Sequence, residues 1–306
     1  MSKGIKDSKH YFKISQDNPE KHLDEFYIFD KRHPRLKEYA ENTKQLKNIL
    51  ITIKTLTDKK EKVAVIEKYY QELQKSLSEF SNCSEFSCFV NACDNTLDAV
   101  KSDLTLLKDI TKRYFAKRVL NELVPEEWIQ AILDSNSSRK KGKCGEAKLG
   151  VILEKAEFKK VENWEEFEKT KKCFAEFSSI FSMKEIRNRL GIKIKTKKQG
   201  KKLDLIIKTG SKIFLVEAKH LNSSGGEQDK QISELIEILS LNEENKDISY
   251  LSFLDGSYSN ILLAENIKRA GKKLKSQRKD IEKYLKKNEN NYWVNTTGFE
   301  VLISNL

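Results

Sequence analysis

The hydrophobic pattern is most ordered in two apolar runs, residues 203–207 and 213–216, separated by a short polar turn around Thr209-Gly210. Side chains alternate in a strand, so Ile213, Leu215, Glu217 and Lys219 share one face, and Phe214, Val216 and Ala218 share the other. Both faces are largely apolar, as in a strand covered on both sides of a sheet. The runs predict a hairpin. With residues 209–212 as its loop, Lys208 pairs with Ile213 and Asp204 stands opposite Glu217, their Cβ atoms about 4.5–5.5 Å apart. A two-residue loop is expected to slip the register and turn Asp204 towards Leu215.

Helical spacing dominates the chain before this hairpin. Residues 36–56, 59–80 and 97–123 read as long helices, and Val63, Ile66, Tyr70, Leu73 and Leu77 form an apolar stripe at helical spacing. A short helix over 126–133 follows Pro125. The polar loop Asp134-Ser135-Asn136-Ser137-Ser138 then marks a boundary. The pattern predicts a helical region over 1–135, whose role it does not decide, and an α/β domain over 136–306.

Within that domain a glycine-started helix begins at Gly142, with Glu146 in its first turn and Leu149, Ile152, Leu153 and Ala156 as its apolar stripe. Residues 164–181 read as helix, and Ser182 caps another. Ile192 and Ile194 are expected to start the first strand of the sheet. Gly225-Gly226 opens a helix with Ile232, Leu235, Ile236 and Leu239 on its apolar face, and a strand over 248–254 ends at Asp255-Gly256. A basic helical stretch over 267–287 carries only Ile267, Leu274, Ile281 and Leu285 as apolar positions. Residues 292–303 read as a final strand or pair of strands turning at Thr297-Gly298.

The chemistry sits on the hairpin. An acid inside an apolar strand is costly unless something binds it, and Asp204, Glu217 and Lys219 converge. Two adjacent carboxylates repel unless a cation lies between them. All-oxygen ligation favours Mg²⁺, which keeps water for chemistry. Lys219 would then orient or deprotonate a metal-bound water.

An Asp followed about a dozen residues later by Glu-x-Lys at the end of an apolar strand resembles the PD-(D/E)xK nuclease superfamily. The order of helix, strands, helix and strand over about residues 138–256 resembles its core, a central mixed sheet flanked by helices. The residue before Asp204 is Leu203, where the superfamily's name has Pro. Glu217-Ala218-Lys219-His220 followed by a glycine-rich loop is most similar to type II restriction endonucleases. The resemblance implies metal ligation by Asp204, Glu217 and the Ala218 carbonyl, with Glu146 binding a second metal or ordering a water. It also implies a sequence-specific cutter of double-stranded DNA, a homodimer, and a cognate DNA methyltransferase protecting a prokaryotic host. A structure-selective repair or recombination nuclease, and a DNA-binding protein with a decayed nuclease core, are the alternatives.

Charge fits a polyanionic partner: 58 basic against 46 acidic residues give a formal net charge of +12. Two basic runs flank the candidate site. One holds Lys141 and Lys143; the other runs from Lys193 through Lys195, Lys197, Lys198, Lys201 and Lys202. Each reads as phosphate-contacting or as a solvated loop. Gln228 and Gln231 can touch bases or phosphates, or simply belong to a helix start. The basic helix reads as phosphate-binding or, more simply, as a solvated helix packed by its stripe. Arg187, Arg189, Arg269 and Arg278 are candidate guanine readers. Five cysteines without a CxxC pair suggest reduced thiols rather than zinc, and no GxxxxGK[ST] loop is present. His220, the only histidine near the site, is expected to face away from the metal. Without an apolar signal region or a membrane-length run, the chain reads as cytoplasmic.

Overall fold

The computed structural model describes residues 4–135, 138–194, 203–267 and 270–306, apart from the side chains of 138–143. In chain order the elements are α1 (Ser8–Asp17), α2 (Leu36–Asp58), α3 (Val63–Ser76), α4 (Glu85–Ala92), α5 (Leu97–Ser102), α6 (Leu104–Lys117), α7 (Glu126–Ser135) and α8 (Ser138–Lys155). There follow β1 (Lys159–Lys160), α9 (Trp164–Lys169), β2 (Lys172–Glu176), α10 (Met183–Leu190), β3 (Leu205–Thr209), β4 (Lys212–His220) and α11 (Gly226–Ser240). The chain ends with β5 (Ile248–Asp255), α12 (Ser257–Leu263), α13 (Lys272–Lys287), β6 (Tyr292–Val294) and α14 (Thr296–Ser304).

Two compact units form, one of Met1–Ile28 with Arg139–Leu306 and one of Phe29–Ser138. The second is helical. Its core gathers Leu46, Ile49, Leu50 and Ile53 of α2, Tyr70 and Leu73 of α3, Phe86, Phe89 and Val90 of α4, and Leu107, Ile110 and Tyr114 of α6. The expected helix over 97–123 is broken at Asp103, whose carboxylate caps α6 by accepting the N–H groups of Thr105 and Leu106.

The other unit is a six-stranded mixed sheet in the order β1-β2-β3-β4-β5-β6. β2, β3 and β4 are antiparallel; β1 runs parallel to β2, and β4, β5 and β6 are mutually parallel. Helices cover both faces, giving the mixed α+β architecture of a restriction-endonuclease-like fold. On one face Cys173, Ala175, Ile206, Leu215 and Tyr250 pack with Trp164, Phe181, Ile186 and Ile238. On the other, Phe174, Leu205, Ile207, Phe214 and Val216 pack with Tyr11, Leu149, Leu153, Phe299 and Leu302. Each Leu, Ile, Val or Phe among them contributes about 1.5–3 kcal/mol when fully buried.

The first 28 residues therefore belong with the sheet, not with the helical region expected over 1–135. Tyr11 of α1 is wholly buried in the sheet's core. Asn295, just after β6, donates its backbone N–H to Ser15 Oγ and its side-chain amide to Ser15 O, both at 3.1 Å. α14 approaches so closely that a Cβ on Gly298 would overlap Ser15 Oγ.

Three local expectations change. Residues 164–181 are not one helix: α9 ends at Lys169 and β2 follows. Cys173 and Ala175 point into one core and Phe174 into the other, so this strand shows no alternation to read. Ile192 and Ile194 do not start a strand. Glu243 accepts the N–H groups of Lys193 (3.0 Å) and Ile194 (3.1 Å), and Arg187 donates to Ile194 O, so side chains take the bonds a ladder would need. The stretch after Val294 is helical because Asn295 caps Gly298 N–H at 2.9 Å, and Phe299, Leu302 and Ile303 form a helical stripe. The hairpin turn is the two residues Gly210-Ser211. Lys208 nevertheless faces Ile213, because Thr209 and Lys212 add one more pair.

Candidate active site

β3 and β4 bring the acids together at the end of their ladder. The last pair is Leu205 with Val216, and Asp204 lies one residue beyond it. Its backbone is fixed on both sides: Asp204 N–H donates to Val216 O at 2.9 Å, and Phe177 N–H donates to Asp204 O at 3.1 Å. Its side chain bridges back to β4, Oδ2 accepting the N–H of Ala218 at 2.7 Å. Asp204 thus spans the stretch that carries Glu217.

Glu217 is only 2% exposed. Its Oε1 accepts a hydrogen bond from Lys219 Nζ at 2.6 Å, two residues along the same strand face. Burial disfavours the Lys219 ammonium, but the charges of Glu217 and Asp204, with Glu234 of α11 adding to them, outweigh it and hold its pKa above the ordinary lysine value. Sequence reading passed over Glu234. Its position on the helix stripe ending in Ile238 was the available signal.

Glu146 lies in the third turn of α8 rather than the first, since that helix starts at Ser138. It is half-buried. Leu149 and Leu153 seat α8 on the Phe214, Val216 and Ala218 side, so Glu146 comes to the sheet from the face opposite Ile213 and Leu215. A Cβ on Gly145 would stand 3.2 Å from Tyr27 Oη, and Tyr27 stacks on His220, which puts this part of α8 at the same end of β4.

That opposite face holds a network the sequence did not reveal. His220 faces away from Glu217, its Nδ1 2.9 Å from Asp255 Oδ1. Tyr27 Oη donates to Asp255 Oδ2 at 2.7 Å, and the two rings of Tyr27 and His220 lie 3.6 Å apart. Glu20, Asp24 and Asp255 offer carboxylate oxygens within 4.8 Å of one another, a set that could hold a metal ion. The Lys148 ammonium already sits among them, 2.6 Å from Asp24 Oδ2, 3.0 Å from Asp255 Oδ2 and 2.7 Å from Thr296 Oγ1. The protein supplies its own cation there. In the sequence Asp255 marks only the end of a strand.

Of the flanking basic residues, Lys195, Lys197, Lys198, Lys201, Lys202 and Arg269 lie outside the described residues, as do the side chains of Lys141 and Lys143. Lys193 pairs with Glu244 at 2.8 Å. Gln228 and Gln231 are half-buried on α11. Three candidate guanine readers have partners within the chain, Arg187 and Arg189 at the surface and Arg278 inside the fold. Arg278 is buried, bonded to Glu282 and to Leu262 O; Arg187 holds Ile194 O; Arg189 pairs with Glu168 and lies over Trp164. Cys83 and Cys173 are buried and Cys88 is exposed, all as free thiols.

A mixed sheet with helices on both faces, ending in two acids and a half-buried lysine, defines the class of restriction-endonuclease-like hydrolases. The model of the DpnII restriction endonuclease family matches residues 20–270, a span that takes in all of these groups. The chain belongs to that family and is a type II site-specific deoxyribonuclease. No curated protein and no solved structure matches it.

Proposed function

We propose that the protein is a Mg²⁺-dependent endonuclease that hydrolyses phosphodiester bonds at a specific double-stranded DNA sequence, within a restriction–modification system. The observation that carries this reading is the pair of the buried Glu217 with Lys219 at 2.6 Å, beside Asp204, whose Oδ2 is tied to the Ala218 N–H. Two acids stand beside one ammonium, and Glu217 is only 2% exposed. An oxygen-only donor set suits a hard divalent cation.

In this reading Asp204, Glu217 and the Ala218 carbonyl hold the ion, and Glu146 binds a second ion or orders a water. When bound, the metal supplies Lewis-acid charge and a more acidic water. The chain's own residues position the reaction. Lys219 would position or activate the attacking water and stabilise negative charge on the phosphoryl oxygens. Lys141, Lys143, Lys197, Lys198, Lys201 and Lys202 contact phosphates, and Gln228 and Gln231 reach DNA from the start of α11. The working form is a cytoplasmic homodimer, with a cognate methyltransferase protecting the host. The helical region 29–138 serves DNA recognition, dimerisation or bracing.

Digestion of unmethylated phage DNA with and without EDTA tests this reading. Discrete fragments that need Mg²⁺ are expected. A smear would replace it with a non-specific or structure-selective nuclease, and intact DNA would remove it.

A further inference from the structure

α11 crosses from β4 back to the start of β5, so it runs antiparallel to both strands. One contact fixes its height over the sheet. Ser252 Oγ donates to Leu235 O at 2.8 Å, and Ser252 is the β5 neighbour of Glu217. Ile238 of the same helix belongs to the core that holds Leu215, on the Glu217 face of β4. Glu234, the residue before Leu235, therefore lies on the helix turn beside Glu217.

We propose that Glu234 is a positioning residue of this centre, holding the Lys219 ammonium from α11 so that the lysine stays aimed at the scissile phosphate when Glu217 engages a metal ion. The proposal rests on the nuclease reading above. Glu217 has two tasks in that reading, and its Oε1 is spent on Lys219. A second carboxylate on a rigid helix separates them. Glu234 is half-buried on the stripe it shares with Gln231 and Ile238. A group that orients another without touching the reacting atoms typically changes activity about 10- to 100-fold.

The test compares the full-length wild type with Glu234→Gln and Glu234→Asp in steady-state cleavage of unmethylated phage DNA, with Mg²⁺ titrated. The expected result for Glu234→Gln is kcat lowered about 10- to 100-fold, with KM for DNA, half-saturating Mg²⁺ and Tm unchanged. Glu234→Asp should recover much of the rate. Wild-type kcat in Glu234→Gln would overturn the proposal. So would a raised Mg²⁺ requirement, which would make Glu234 a metal ligand, or a lowered Tm without recovery in Glu234→Asp, which would make it structural. If the wild type itself fails to cut, the nuclease reading falls and this proposal falls with it.

Discussion

Asp204 Oδ2 accepts the backbone N–H of Ala218 at 2.7 Å, so one carboxylate of the site also fixes the peptide between Glu217 and Lys219. Charge and hydrogen bonding can be separated there. Asn keeps an acceptor in the same place; Ala removes it. Asp204→Asn should fold with near wild-type stability and lose cleavage, whereas Asp204→Ala should lose cleavage and about 1–2 kcal/mol of stability as well. Urea unfolding beside a cleavage assay checks both.

The half-buried Lys219 ammonium is bonded to the buried Glu217 carboxylate. Removing one partner of a buried ion pair is worse than removing both, because the remaining charge has lost its compensation. Lys219→Met should therefore cost about 3–5 kcal/mol, and Glu217→Leu/Lys219→Met should recover most of it, with neither variant cutting DNA. A double-mutant cycle by denaturant unfolding measures this. Equal stability in the two variants would contradict the pairing.

The network on the other face has a signature in pH. Burial pushes Asp255 up, but His220, Lys148 and Tyr27 bring it below the ordinary 3.8. Burial likewise works against the Lys148 ammonium, yet Asp255, Asp24 and Glu20 raise it above 10.5. The depressed carboxyl gives stability that is present above its unfolded pKa and lost as pH falls through the folded one. The raised lysine gives stability that is present below its unfolded pKa and lost as pH rises through the folded one. Glu20, raised by burial, acts in the opposite sense to Asp255 on acidification. Lys148→Met should cost about 3–5 kcal/mol at neutral pH. Its stability should then rise as pH falls towards 4, since the three acids gain protons. Thermal melts across pH would show this reversal of slope.

α1 closes the sheet's far core, so the nuclease unit should not survive without it. Gly298→Ala drives a methyl group into Ser15 Oγ and should destabilise by about 1–3 kcal/mol. Removing residues 1–28 should do far more, stripping Tyr11 from its core. Limited proteolysis of both variants, following fragments of the region 139–306, checks the order of these effects.

The central hairpin was legible because alternation, turn and charged residues all agreed, and the pairing of Lys208 with Ile213 could be counted by hand. β2 was hidden because Cys173, Phe174 and Ala175 are buried on both sides, leaving no period to detect. α14 was misread as strand, although Asn295 and the Phe299, Leu302, Ile303 spacing carried a helix signal. The place of α1 depends on contacts 280 residues apart, such as Ser15 with Asn295, which no local pattern encodes. At the site, Asp204, Glu217 and Lys219 share a short stretch of sequence and could be found together. Glu234 and the ring of groups around Lys148 reach their places only through the packing of α11, α8 and the first 28 residues.

The most direct test of the site is Glu217→Gln, which keeps the shape of the side chain and removes its charge. DNA binding by the variant in a mobility-shift assay should equal that of the wild type, and cleavage with Mg²⁺ should fall by about 100-fold or more. A variant that still cuts at the wild-type rate would place the chemistry elsewhere in the chain and contradict the account at its centre.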